Sequence, residues 1–286
     1  MPANENRTER TYTVPAVAQA MEVMRCLVNS GMNPVSLTSI CEEVGIHKSK
    51  AFSILSTLEE YGFVKKIPNR KGYVPGFGLL TFSGKVLEIM SLPRFSEPVL
   101  QDLAKKARAT VSLGVVADDK TYIVAEYLGA PDLSVSSPVG YSTSITYGAH
   151  GKAIAAFLPE DDLQPLLQAG DLYFYGKPEK YNETKLRKEL AQVRRTGYSM
   201  EFGDIKKGVN AIASPVLDRS NYPVCYITVV GFFTAEEARQ IGPMAVDAAT
   251  KIAREVGHMM FWQKDGSRMN QLLKEPVGIQ KAYRGR

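Results

Sequence analysis

Cysteine, histidine and tryptophan are scarce: among 286 residues there are three cysteines, three histidines and one tryptophan. Cys26, Cys41 and Cys225 lie far apart in apolar surroundings, and no C-x-x-C occurs. Buried thiols in a reducing compartment are therefore expected, rather than a disulfide framework or a thiolate metal site. His47, His150 and His258 lack ligand spacing, so neither a metal nor a cofactor is expected. No run approaches the roughly 18 uncharged apolar residues of a membrane-spanning helix. The opening MPANENRTERTYTV has no signal-peptide apolar region, and a cytoplasmic protein with no membrane partner is expected. The sequence also lacks G-x-S-x-G, the P-loop pattern, H-E-x-x-H and any identifiable nucleophile–base pair, which argues against an enzyme. No internal repeat is visible.

What is present suits a soluble chain with buried cores, 44% hydrophobic and 23% charged, and its length favours two domains. The net charge of +5 permits nucleic-acid binding without arguing for it. Its placement says more. Between Ile46 and Tyr73, Lys48, Lys50, Lys65, Lys66, Arg70 and Lys71 face only Glu59 and Glu60. A second basic window closes the chain, with Lys264, Arg268, Lys274, Lys281, Arg284 and Arg286 against Asp265 and Glu275. Little periodicity accompanies it, and residues 263–286 read as a basic, weakly ordered tail.

Residues 1–13 read as a flexible polar arm. The spacing predicts a helix over 16–28 that buries Val17, Ala20, Met21, Met24, Leu27 and Val28. A short helix is expected from Thr38 as N-cap, then a tight turn at Gly45. The next helix, about 48–61, places Ala51, Ile54, Leu55 and Leu58 on one face, with Gly62 at its end. FVKKI and KGYVP then read as two strands around P-N-R-K-G. Three helices and a hairpin give a winged helix-turn-helix over residues 14–76. Residues 77–93 follow as a linking helix; its Leu79, Leu80, Phe82, Val86, Leu87 and Ile89 fit either an inter-subunit seam or contact with their own chain. From 94 to 262 the pattern is α+β: a helix (98–109), strands SLGVVA and TYIVAEYL joined at Asp118-Asp119-Lys120, strand DLSVSS, helices from about 149 and over 183–196, strands GYSME, VNAIASPVL and VCYITVVGF, and a final helix, 235–261.

In such a motif the second helix enters the major groove and presents its N-terminal polar residues to DNA. His47, Lys48, Ser49, Lys50 and Ser53 are the candidates there, within a helix-turn-helix running from about Thr38 to Leu58; Lys65, Arg70 and Lys71 are the candidates on the wing. The lysines suit phosphates, and Ser and Lys near the helix start can reach base edges.

VSLTSICEEVGIHKSKAFSILSTLEEYGFVKK in the first domain, with SLGVV, SSPVG, HGKAIAAFLP, LAQVRRTGYSMEFG and KKGVNAIASPVLD in the second, resembles the IclR family of bacterial transcription regulators over roughly residues 14–260. The resemblance implies a homodimer or tetramer that binds palindromic half-sites of an operator in double-stranded DNA. It also implies a GAF-like C-terminal α/β domain that binds a small carboxylate effector. Carried over residue by residue, the effector site falls on ITYGAHGK, where Thr146 stands in place of the family's His, Tyr147 of an Ala and Gly148 of a small hydroxyl residue. It takes in Val135, Thr143, Tyr147, Gly148, Ala149, His150 and Gly151, then Glu201, Ala211, Thr228 and Val230. Fewer hydroxyls and added aromatic surface lead to the expectation of an acid with an apolar or aromatic body. Lys152 is expected to serve the fold or the helix surface. Two other hypotheses remain: an enzyme acting on a small acid, with an accessory DNA- or partner-docking domain, and an architectural DNA-bound protein with an empty second domain.

Overall fold

The computed structural model describes residues 13–256, apart from 91, 118, 131, 133 and 169. The polar arm up to residue 12, Asp118, His258, the end of the expected final helix and the basic tail lie outside the described residues. The chain divides into two compact units between Ile89 and Met90.

The first unit comprises α1 (Pro15–Asn29), α2 (Leu37–Val44), α3 (Lys48–Glu60), β1 (Val64–Ile67), β2 (Gly72–Pro75) and α4 (Gly78–Met90). The α2 cap is Ser36 rather than Thr38: the Ser36 Oγ accepts from the Ser39 N–H at 3.1 Å, and Thr38 already lies in the first turn. Gly45, at φ 70°, ends α2 in the left-handed conformation that a residue without Cβ adopts freely. The end of α3 closes on Gly62, also left-handed. Its N–H donates to the Glu59 carbonyl (3.0 Å) and the Phe63 N–H to the Leu58 carbonyl (2.8 Å), which satisfies carbonyls that the helix leaves unpaired. β1 and β2 pair antiparallel around a 3-10 turn, Pro68–Arg70, to make the wing.

The core of this unit gathers Val23, Met24 and Leu27 from α1, Ile40 from α2, Ala51 and Leu55 from α3, and Val64 and Tyr73 from the wing. Ile54 and Leu58 are half-buried against it. On α1 the expected stripe is corrected: Val17, Met21 and Val28 are more than half exposed, while Val23 and Cys26 turn inward. The helix is apolar on two sides, so spacing alone admitted two phases. Cys41 is half-buried rather than buried. The Cys26 thiol lies 3.2 Å from Glu43 Oε2; burial first, then that carboxylate, pushes it up to about 11, so it stays an unreactive thiol.

The second unit runs α5 (Leu92–Ala107), β3 (Thr110–Ala117), β4 (Lys120–Leu128), β5 (Ser142–Ser144), α6 (Gly148–Ala155), α7 (Glu160–Gln168), α8 (Glu183–Thr196), β6 (Ser199–Phe202), β7 (Asn210–Leu217), β8 (Pro223–Gly231) and α9 (Ala235–Val256). Its sheet has the order β5-β4-β3-β8-β7-β6 with every neighbouring pair antiparallel. α5 and α9 pack against each other and on the sheet, and α6 packs on β6, β7 and β8 and against α8. This is the α+β architecture expected, with two elements relocated and one helix added. The first helix starts at Leu92, because Pro93 occupies its first turn, where no N–H is needed, and the helix tolerates Pro98 further in. Residues 134–137 of the expected strand DLSVSS are coil, and the edge strand is Ser142–Ser144 instead. The short α7 was not anticipated.

One glycine sets the layout of the sheet face. Gly114 on β3 is paired with Tyr226 on β8, and a Cβ there would lie 2.1 Å from Tyr226 Cζ. The phenol ring lies across the strand in the space that any other residue would fill. Gly114→Ala is expected to cost about 1–3 kcal/mol by overpacking, read as a fall in the urea midpoint without loss of the folded baseline.

Candidate functional site

Two surfaces carry the chemistry, one in each unit. In the first, His47 is the N-cap of α3 and makes no side-chain capping bond. His47, Lys48, Ser49, Lys50 and Ser53 are all exposed, as are Lys65, Arg70 and Lys71 on the wing. The Ser53 hydroxyl donates to the Ser49 carbonyl at 3.0 Å. Several lysines and arginines of other exposed helices are paired with carboxylates, as in Lys85–Glu88, Arg187–Glu183 and Lys251–Asp247. Among the described residues Lys48, Lys50, Lys65, Arg70 and Lys71 form no ion pair. Five cations without an ion-pair partner, on α3 and the wing, offer positive charge suited to a phosphate backbone.

In the second unit one face of the sheet is hollowed into a cavity of about 280 Å³. Its floor follows from the alternation of strand side chains. On β8, Tyr226, Thr228 and Val230 point into it; Ala211 on β7, Glu201 on β6 and Ile123 on β4 complete the floor. The start of α6, with Tyr147, Gly148, Ala149 and His150, forms one wall, and Val135–Pro138 with Tyr141 forms another. Ten of the eleven residues expected at an effector site line this cavity: Val135, Thr143, Tyr147, Gly148, Ala149, His150, Glu201, Ala211, Thr228 and Val230.

Gly151 is the exception. Its N–H is spent on the Tyr147 carbonyl (2.9 Å), and a Cβ would meet the Thr146 carbonyl carbon at 2.3 Å, so it serves a close backbone approach. Thr146 is buried and braces the loop, its Oγ1 accepting from the Tyr173 N–H at 3.1 Å. Lys152 points to the far side of α6, where its ammonium lies 2.8 Å from Glu189 and 4.4 Å from the centre of the Tyr175 ring. The lining residues that sequence reasoning missed include Ile123, Tyr141, Ile205 and Tyr226. The alternation along VCYITVVGF could have found Tyr226, since it shares a face with Thr228 and Val230.

His150 is the electrostatic centre of the wall. Its ring stacks on Tyr226 (4.6 Å between centroids, 12° between planes), and its Nε2 lies 2.9 Å from Thr143 Oγ1 and 3.5 Å from Thr121 Oγ1. Desolvation lowers its pKa to about 3, which keeps the imidazole neutral. Glu201 accepts from the N–H groups of Asp204 and Ile205 (3.1 Å to the latter), yet burial raises its pKa above the usual carboxylate value. Burial likewise raises the Tyr147 phenol. Among the described residues no cluster of His, Cys, Asp and Glu could hold a metal ion, and no helix is long and apolar enough to cross a membrane.

Residues 84–254 match the family model for the C-terminal domain of the bacterial transcriptional regulator IclR, and residues 16–68 match that for the IclR helix-turn-helix domain. The chain belongs to the IclR family. It is 24% identical over 269 residues to the transcriptional repressor IclR of Escherichia coli (strain K12), spanning 91% of this chain and 98% of that one. The crystal structure of an IclR-type regulator from Alicyclobacillus acidocaldarius shares its fold, with a TM-score of 0.73 at 22% identity over 85% of this chain and 99% of the other. So does an IclR homologue from Microbacterium hydrocarbonoxydans solved with 4-hydroxybenzoate, with a TM-score of 0.69 at 16% identity over 84% and 98%. This family member is a DNA-binding transcriptional regulator, and its relatives are regulators rather than enzymes, which sets the enzymatic alternative aside.

The histidine makes stability depend on pH. In the unfolded chain it takes a proton near pH 6.5, whereas folded it resists one down to about 3. Between these values the unfolded state binds more protons, so stability falls as pH drops below about 6.5 and is flat above. The thermal unfolding midpoint of His150→Gln is expected to fall less between pH 7 and pH 5 than that of the parent; equal slopes would contradict a neutral, desolvated ring.

Proposed function

We propose that this regulator holds operator DNA through His47, Lys48, Ser49, Lys50 and Ser53 at the start of α3 and Lys65, Arg70 and Lys71 on the wing. It acts as a homo-oligomer on palindromic half-sites and is switched by a small acid with an aromatic body. The gathering of ten expected residues around one largely apolar cavity carries the effector proposal. Tyr141, Tyr147, His150 and Tyr226 give it aromatic walls. The start of α6 supplies backbone N–H groups and the positive end of a helix dipole for a carboxylate. A volume of about 280 Å³ suits a single-ring acid, and the fold neighbour solved with 4-hydroxybenzoate supports that size class. The unpaired cations of α3 and the wing support the DNA contacts. The exposed Leu80, Phe82 and Val86 of α4, with Val17, Met21 and Val28 of α1, support an oligomer, since a monomer would leave this apolar surface in water. Effector binding changes operator affinity by linkage, tighter in one conformation than the other.

Lys50→Ala and Arg70→Ala are each expected to weaken operator binding and to reduce the slope of log affinity against log salt by about one, measured by gel shift from 50 to 200 mM salt. Titration calorimetry with benzoate and 4-hydroxybenzoate against acetate and glyoxylate tests the effector: preference for the aromatic acids is expected, and preference for the two-carbon acids overturns it. Glu201 shares the cavity with the incoming carboxylate, and like charges favour its protonated form. Affinity is therefore expected to fall as pH rises, and Glu201→Gln to flatten that dependence while strengthening binding at pH 8.

A further inference from the structure

We propose that Phe52 is a specificity-determining residue that reads the 5-methyl group of a thymine in each operator half-site. The outer face of α3 carries Ser49, Ser53 and Ser56 on successive turns, all exposed. These short side chains leave the helix thin on that side, so its backbone can approach the floor of a groove. The Ser53 hydroxyl is turned back onto the Ser49 carbonyl and has no proton left to donate to a base. Reach and contact area must then come from the longer side chains that flank this strip. Lys48 and Lys50 are the cationic ones. Phe52 is the apolar one, 52% exposed and the single exposed large hydrophobic residue within α3.

Its position is not explained by its own unit. The inward face of α3 is Ala51, Ile54, Leu55 and Leu58, and Phe52 is absent from the hydrophobic core they build. A bare phenyl ring beside uncompensated lysines is unfavourable in water and becomes favourable once buried. The occupant that fits is duplex DNA, because Lys48 and Lys50 share the exposed side of α3 with the ring, and the wing of the same unit adds Lys65, Arg70 and Lys71. In the major groove the apolar feature that distinguishes one base pair from another is the thymine methyl, which aromatic and aliphatic side chains contact directly.

The inference rests on the docking of α3 proposed above, and the test separates the two. Duplexes are selected from a random library with the full-length protein, and each thymine of the selected site is replaced in turn by deoxyuridine, which lacks the methyl group. Expected is one symmetry-related position per half-site at which the replacement weakens the parent protein roughly three- to five-fold, the worth of one buried methyl. Phe52→Ala should bind the thymine and uracil duplexes equally, and Phe52→Leu should keep part of the difference. Indifference of the parent to every replacement, or an undiminished difference in Phe52→Ala, overturns the role of Phe52 while leaving α3 on DNA. Selection of no site at all overturns both. Exposed on a helix surface, Phe52→Ala is not expected to disturb folding, and an unchanged unfolding midpoint checks that.

Discussion

Strand β8 is the constraint on which the sensing unit depends. It lies inside the sheet between β3 and β7, and its side chains alternate. Cys225, Ile227 and Val229 are fully buried on one face, while Tyr226, Thr228 and Val230 turn to the other. Alternation fixes which residues can meet a ligand, and a slip of one residue would exchange the two sets. Gly114 gives Tyr226 room to lie flat, Tyr226 gives His150 a surface to stack on, and His150 in turn sits beside Thr143 on β5. A glycine with no side chain thus decides the shape of a wall two residues away in space.

The two units differ in how much of them can be read from the sequence, and the reason is the range of the contacts. In the first, local rules suffice: the spacing of Ala51, Ile54, Leu55 and Leu58, the left-handed glycines 45 and 62, and the turn between β1 and β2 all act within a few residues. Where local signals were ambiguous the expectation went astray. Both sides of α1 are apolar, and tertiary packing chooses the buried one; Ser36 and Thr38 are both caps by type, and the local bond from the Ser39 N–H falls to Ser36. Pro93 and Pro98 both lie within α5, although proline usually marks a helix boundary, and Pro165 together with its short length hides α7.

In the second unit the cavity residues come from β4, β5, β6, β7, β8, the start of α6, the coil at 135–141 and the segment at 205–209, and long-range pairing brings them together. Family likeness located ten of them; composition and periodicity would have located few. Ile205 and Tyr141 belong to segments with no distinctive pattern, and nothing local distinguishes them from solvent-facing residues. Gly151 erred the other way: the motif marks it, yet its role is backbone packing beneath Thr146.

The ammonium of Lys152 is held between Glu189 and the Tyr175 ring, Lys185 also lies 4.2 Å from the centre of that ring, and the Tyr175 hydroxyl donates to the same Glu189. This clamp fastens the rear of α6 to α8. The helix that borders the cavity is therefore an anvil and not a hinge. On the opposite bank the carboxylate of Glu126 on β4 accepts from the Ser136 hydroxyl and the Ser137 N–H and so holds the coil to the sheet. The two banks of the cavity are thus fastened by different means, one by an ion pair between helices and the other by hydrogen bonds to a carboxylate of the sheet.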